Sequence, residues 1–378
     1  MKILVVLTYY SPYMSGVTEF ARMLAEDLAK RHDVTVLTTQ HDAELPLEEA
    51  MNGVRVVRAP VFARMHKGVL SWKLITQFVH LARQSDVVNL HMPMLESGLL
   101  SMLVPSRKLV VNYQCDMAVV GGLIDRVAVN VTRISCWLAV RRARQVGVLT
   151  HDYAGSSAWL QGIRHKQREV LAPMKAMPWP VAQIEDDEVF RFGFVGRFVA
   201  EKGLPVLLEA FAQVHEQHAG RVRLVLVGDT HNIAGGGIMD AIHGSIAALG
   251  DAVEVRGRVT EEELQTFYSQ LDVLVLPSIN RYEAFGMVQL EAMLSGSRVI
   301  ASNLPGVRTI VQNTGNGEVV PIGDAPALAE AMLRLMASRH GVTRNGVREQ
   351  ALRVYPLRRF YDLQEAMLVG REPPHPTA

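Results

Sequence analysis

The chain has 378 residues, 49% hydrophobic and 20% charged, which at about 150 residues per domain is enough apolar material for two cores without covalent staples. Its formal net charge of +1 excludes wholesale nucleic-acid binding, which needs a large basic surplus. Two cysteines, Cys115 and Cys136, give neither a disulfide framework nor a zinc spacing, so a reducing cytoplasm is the expected setting.

In chain order, the first element is a β-branched run at 3–7, shorter than the roughly 7–15 apolar residues of a secretory leader. No stretch reaches the ~20 apolar residues of a membrane span. A helical period over 18–31 comes next, followed by short apolar runs at 34–38, 54–57, 87–90, 109–111 and 146–149. Ala172-Pro173-Met174-Lys175-Ala176-Met177-Pro178-Trp179-Pro180 cannot continue a helix or a central strand. With the acidic stretch 185–188 it reads as an interdomain linker. The second half repeats the pattern, with runs at 192–195, 222–227, 253–255, 273–276, 299–301 and 318–320 and helical periods at 206–218, 261–271 and 325–337. Runs without alternation are buried on both faces, which means parallel sheets flanked by helices. The expected fold is therefore α/β: two Rossmann-like, doubly wound lobes, 1–176 and 183–355, facing a central cleft. A helix at about 356–370 is expected to return to the first lobe, and 371–378, with three prolines, reads as a disordered tail.

Two segments carry chemistry. The first, Phe194-Val195-Gly196-Arg197-Phe198-Val199-Ala200-Glu201-Lys202-Gly203, runs off a strand into a helix whose first turn suits Pro205. A lysine at a helix N-terminus opposes the macrodipole by about 0.3–1 kcal/mol, a placement that makes sense if an anion joins it there. Arg197 would add a forked set of donors. From spacing alone, the two cations read equally well as a phosphate grip or as solvated partners of Glu201.

The second segment is Glu283-Ala284-Phe285-Gly286-Met287-Val288-Gln289-Leu290-Glu291, which follows a strand and enters an apolar helix. Helix N-termini bind anions through free N–H groups, so Phe285, Gly286 and Met287 offer amides to a phosphate or sugar oxygen. Gly286 permits close backbone approach. Glu291, inside a helix otherwise made of Met, Val, Leu, Ala and one Gln, can accept two hydroxyl hydrogen bonds as ribose-binding carboxylates do. The bland alternative is a residue on an exposed helical stripe.

Between these segments stand Leu226-Val227-Gly228-Asp229, Gly257-Arg258-Val259, Asp272-Val273-Leu274-Val275-Leu276-Pro277-Ser278 and Ala301-Ser302-Asn303-Leu304-Pro305-Gly306. The ordered set over 192–340 closely resembles family 4 of the retaining, nucleotide-sugar-dependent glycosyltransferases, whose fold is GT-B. Ser11-Pro12-Tyr13-Met14-Ser15-Gly16-Val17 and Val87-Val88-Asn89-Leu90-His91-Met92-Pro93 resemble the family more loosely.

The resemblance implies roles. Arg197 and Lys202 would hold the diphosphate of the donor, and Glu291 its ribose. Glu283 and the amides of Phe285, Gly286, Met287 and Val288 would hold the transferred sugar and the distal phosphate. Arg258 and Val259 would line the base pocket, and Gly16 would lie beneath the phosphates. Catalytic contacts would come from Gln114, Asp116 and Glu283. The reaction implied is transfer of a hexose-type sugar from a nucleoside diphosphate to an acceptor hydroxyl, the leaving phosphate taking the acceptor proton. The partners are then the nucleotide sugar and a glycosyl acceptor. No resident cofactor or metal is expected.

Two positions depart from the family: Ser15-Gly16 stands where adjacent glycines are common, and Gln114 where related sequences carry a histidine. Gln can exchange hydrogen bonds but cannot carry a proton. That departure keeps a non-catalytic nucleotide-sugar-binding subunit in view, and the shared architecture a second rival, a nucleotide-sugar epimerase. Outside the motifs, His91 reads as a satisfied structural histidine. The basic, amphipathic run from Arg133 to Arg144 reads either as a core-packing helix with a solvated face, which is favoured, or as a peripheral contact with anionic lipid at the inner face of the membrane. Gly235-Gly236-Gly237 lacks dinucleotide-fingerprint spacing and reads as a mobile loop.

Overall fold

The computed structural model describes residues 1–13, 15–65, 68–117, 122–174, 179–181, 189–230 and 237–372. Much of the expected linker, Gly235 and Gly236 of the expected loop, and 373–378 of the expected tail lie outside them. The chain divides into two compact units, Met1–Pro173 with Arg358–Ala378, and Met174–Leu357. Among the described residues, no helix is long and apolar enough to cross a membrane.

The first unit carries β1 (Lys2–Val6), β2 (Asp33–Thr39), β3 (Glu48–Met51), β4 (Val54–Ala59), β5 (Ala63–Met65), β6 (Gly68–Leu70), β7 (Val87–Met92), β8 (Leu109–Tyr113), β9 (Gln145–Val148) and β10 (Gln167–Glu169). Eight of them form one sheet in the order β10-β9-β8-β7-β1-β2-β4-β3. All neighbours are parallel except β3 against β4, and β5 and β6 make a separate antiparallel pair. Every residue of β7 and β8 is buried, as expected of strands covered on both faces. The strands absent from the sequence reading are β3, β5, β6 and β10. Glu48-Glu49-Ala50-Met51 alternates and is polar because it closes a sheet edge, where pairing decides and hydrophobicity does not.

The first helix spans Gly16–Leu28, starting two residues earlier than its periodicity because Ser15 caps it, Oγ accepting from the Thr18 amide at 3.2 Å. Helix Arg359–Val369 belongs to this unit. Its Glu365 accepts from Arg31 at 2.6 Å and from His32 at 2.9 Å, and Arg358 donates to Asp27 at 2.8 Å. Its buried Gln364 exchanges amide hydrogen bonds with Asn112 of β8, at 3.1 and 3.2 Å.

The second unit contains β11 (Phe190–Val195), β12 (Val222–Val227), β13 (Val253–Gly257), β14 (Val273–Leu276), β15 (Arg298–Ser302) and β16 (Gly317–Val320), ordered β13-β12-β11-β14-β15-β16 and parallel throughout. Phe190, Phe192, Phe194, Phe198 and Phe211 fill its core. Helices Leu204–Gln217, Glu261–Gln270 and Ala325–Ala337 match their periodic segments to within two residues, and the apolar helix after Glu283 spans Met287–Leu294. The chain lays β12 and β13 on one side of β11, then returns to lay β14 on the other. The carboxyl ends of β11 and β14 therefore diverge into separate loops, leaving a crevice where ligands settle in such sheets.

Candidate functional site

At that switch point the loops after β11 and β14 are pressed together. The Ile279 amide donates to the Glu201 carbonyl at 2.9 Å. Gly203 sits at φ +71°, and a Cβ there would lie 2.1 Å from the Pro277 carbonyl oxygen, so only glycine lets the loops meet. Lys202 ends the short turn Ala200–Lys202, just before helix Leu204–Gln217 with Pro205 in its first turn. Its ammonium donates to Glu283 Oε2 at 2.5 Å, and Ser278 Oγ approaches the same oxygen at 3.5 Å. Both charged side chains are largely sheltered. The cation that the helix dipole disfavours is thus offset by a carboxylate from the opposite loop, and not by Glu201. Glu201 lies 3.8 Å from half-exposed Arg197.

The helix following Glu283 is set by Gly286, its N-cap at φ +78°; a Cβ there would lie 2.5 Å from Leu276 Cδ2. Fully buried Gln289 locks this turn, its amide donating to the carbonyls of Phe285 at 3.0 Å and Val307 at 3.1 Å. Phe285 is buried edge-on to Tyr355, which anchors the loop, while Met287 and Val288 open the helix, half-buried. The first amides of a helix have no intrahelical acceptor. One turn on, Glu291 Oε2 accepts from the Tyr268 hydroxyl at 2.8 Å. Burial, and then the Glu291 charge, push the Tyr268 phenol well above its ordinary range, so it remains a donor at working pH. Arg258 is exposed and Val259 half-buried at the end of β13, two strands away on the same edge. Asp272 precedes β14 and lies at its amino end, away from this edge. There it accepts from the Arg191 amide at 2.8 Å and pairs with Arg339 at 3.1 Å, so this part of its motif is architectural.

Tyr268, Gln289 and Ser278 were not singled out from sequence. In the sequence, Tyr268 falls within the helical period 261–271 and Gln289 within the segment 283–291, neither with a role of its own. Their roles depend on what lies across the packing.

In the first unit the switch point falls between β1 and β7. Gly16 opens the helix after β1, and a Cβ on it would meet nothing within 4 Å. Ser15, in place of a second glycine, turns its hydroxyl into the helix as the cap. His91 near the end of β7 is fully buried, edge-on to Phe20, and burial pushes its imidazole down to about 3. Gln114, just past β8, donates its amide to His91 Nδ1 at 3.1 Å, which leaves the proton on Nε2. That Nε2 is buried with no hydrogen-bond partner among the described residues, so His91 is only half satisfied. Asp116 Oδ1 accepts from the Tyr113 and Ser157 hydroxyls, both at 2.7 Å, and its amide donates to the Tyr153 hydroxyl at 2.7 Å. Asp116 therefore ties down the turn that presents Gln114. Among the described residues, no three His, Cys, Asp or Glu side chains are grouped to hold a metal.

These two sites stand on a chain with recognisable relatives. Residues 189–338 match the family described as glycosyl transferases group 1, and residues 15–174 match the glycosyl transferase 4-like domain. The chain is 26% identical over 358 residues to an uncharacterised glycosyltransferase of Methanocaldococcus jannaschii, covering 84% of each chain. It is likewise 26% identical over 339 residues to the D-rhamnosyltransferase WbpZ of Pseudomonas aeruginosa, covering 86% of this chain and 84% of that one. Among solved structures, sucrose-phosphate synthase of Thermosynechococcus elongatus superposes with a TM-score of 0.75 at 22% identity over 98% of both chains. Anabaena HepE, solved with UDP, gives a TM-score of 0.75 at 19% identity over 98% of this chain and 100% of that one. With both halves matched and the GT-B fold shared, the chain belongs to the family 4 glycosyltransferases.

Proposed function

We propose that the enzyme moves a hexose-type sugar from a nucleoside diphosphate to an acceptor hydroxyl, with retention of anomeric configuration, in the cytoplasm. The observation that carries this reading is the Lys202–Glu283 pair at the switch point of the second sheet, 2.5 Å apart and sheltered. An ammonium has three donors, so Lys202 can keep Glu283 and still reach a diphosphate oxygen. Arg197 adds charge, and the amides of Phe285, Gly286, Met287 and Val288 add dipoles. Glu291, aimed by Tyr268, takes the ribose, and Arg258 and Val259 flank the base. Glu283 then faces the hexose. Structures of HepE with UDP-glucose support a donor of this class.

In the proposed step the bond from the anomeric carbon to the diphosphate oxygen breaks. The acceptor oxygen bonds to that carbon on the same face, and its proton passes to the leaving phosphate. Gly16 lies beneath the phosphates in this reading and Gln114 contacts the sugar, giving hydrogen bonds but no proton. Asp116 acts by positioning. No resident cofactor takes part.

Calorimetric screening of UDP-, GDP- and ADP-sugars, followed by product analysis with cell extract, tests the reading. Glycosylated product with retained configuration is expected. Epimer formed from donor alone would replace the transferase with an isomerase, and donor binding without turnover on any acceptor would leave a binding subunit.

A further inference from the structure

Helix Leu123–Arg142 is apolar on both sides. Its inward face places Cys136, Ala139 and Val140 in the core of the first unit. Its outward face was expected to be solvated, yet Val127 is 56% exposed, Val131 50%, Ile134 60% and Trp137 37%. Their spacing puts them on one stripe. The short helix Ser97–Met102 crosses beside them, held by Gly98 N donating to Ser135 Oγ at 2.7 Å and by Arg142 donating to the Ser101 carbonyl at 3.0 Å. It exposes Leu99 and Met102 as well.

Charge singles out the partner. Along helix Leu123–Arg142 the sequence has four Arg against one Asp, while the whole chain nets only +1. Arg126 and Arg141 are exposed on the helix itself, and the Arg141 guanidinium lies 4.6 Å from the centre of the Trp137 ring. An apolar stripe carrying an amphipathic tryptophan and bordered by arginines matches the boundary between anionic headgroups and acyl chains. A protein partner would have to supply both a large apolar patch and an acidic rim.

We propose that this face lies on an anionic lipid bilayer, with Val131, Ile134 and Trp137 entering the headgroup boundary and Arg126 and Arg141 meeting lipid phosphates. The inference rests on this surface and is independent of the transferase reading. The test is flotation of the full chain with vesicles of phosphatidylglycerol and phosphatidylethanolamine, against vesicles of phosphatidylcholine alone. The chain should float with the anionic vesicles only, and less at high salt. Each surface arginine is expected to contribute about five-fold in partition, so Arg126→Glu with Arg141→Glu should lower it at least about twenty-fold. Ile134→Asp should lower it about ten-fold or more, with unchanged circular dichroism because the residue is exposed; Ile134→Gln provides a second, uncharged check. Brominated lipid should quench a component of the fluorescence that Trp137→Phe removes. Absence of flotation with anionic vesicles would overturn the proposal, as would undiminished flotation of the Ile134 variants. A solution dimer that Ile134→Asp converts to monomer, without vesicle binding, would reassign the face to a second copy of the chain.

Discussion

At the carboxyl edge of the second sheet, the loops after β11 and β14 bring a cation and an anion together, Lys202 on Glu283 at 2.5 Å. At the matching edge of the first sheet, β7 and the turn after β8 bring together two neutral groups, His91 and Gln114, at 3.1 Å. Behind them sits another neutral cluster, Asn89, Asn112 and Gln364. Both sheets are parallel and doubly wound, so topology gives each a crevice; the side chains decide what each crevice can do. On the function proposed above, the second sheet's crevice would meet the charged diphosphate and the first sheet's would contact hydroxyl groups without moving protons. The contrast fits a reaction in which the leaving group itself takes the acceptor proton.

The sharpest way to break the comparison is Glu283→Gln. If the charge work lies in the second unit, turnover should fall on the order of 100-fold while nucleotide affinity holds, since Lys202 is released to the diphosphate. Abolished nucleotide binding in a folded variant would remove Glu283 from the sugar. Lys202→Ala should weaken nucleoside diphosphate binding by about 1.5–3 kcal/mol by calorimetry, because it deletes a charge-assisted donor and bares Glu283 beside the phosphates. Adding Glu283→Gln to it should recover part of that loss, the signature of a coupled pair. Equal affinity for wild type and Lys202→Ala would end the phosphate assignment.

The neutral edge has its own test in acid. The folded value of His91 is about 3, below the ordinary 6.5, so between those values the unfolded chain binds a proton that the native one refuses. Stability held above pH 6.5 should then be lost as pH falls, at about 1.4 kcal/mol per unit while His91 dominates. His91→Gln should move the onset of acid loss in thermal melts down to the carboxylates. Asp27 takes over there. Burial alone would raise it, but hydrogen bonds from Arg31, Arg358 and Lys30 hold it below its ordinary 3.8, so its contribution vanishes as pH falls below that value. An onset unchanged by His91→Gln would mean that the imidazole charges in the native state. The smallest effect expected is Tyr268→Phe, about 0.5–1.5 kcal/mol of nucleotide affinity lost through a misaimed Glu291 with the fold intact. No change would show that Glu291 needs no such support.

Much of this architecture was legible in the chain. Buried strands such as Val222–Val227 announce themselves because a strand covered on both faces must be continuously apolar, and Gly203, Pro205 and Gly286 mark turns that few other residues can make. The order of motifs from Arg197 to Glu291 likewise determined the family and the donor-side residues to examine. Only the tertiary structure decided their partners. That Lys202 rests on Glu283, that Tyr268 donates to Glu291 and that Gln114 donates to His91 are contacts between residues 81, 23 and 23 positions apart. The same holds for helix Leu123–Arg142, whose two apolar faces are told apart only when one is seen against the core and the other is left outside. Periodicity records where around a helix its apolar residues lie. What each face meets depends on where the sheet lies, and that is a property of the folded chain.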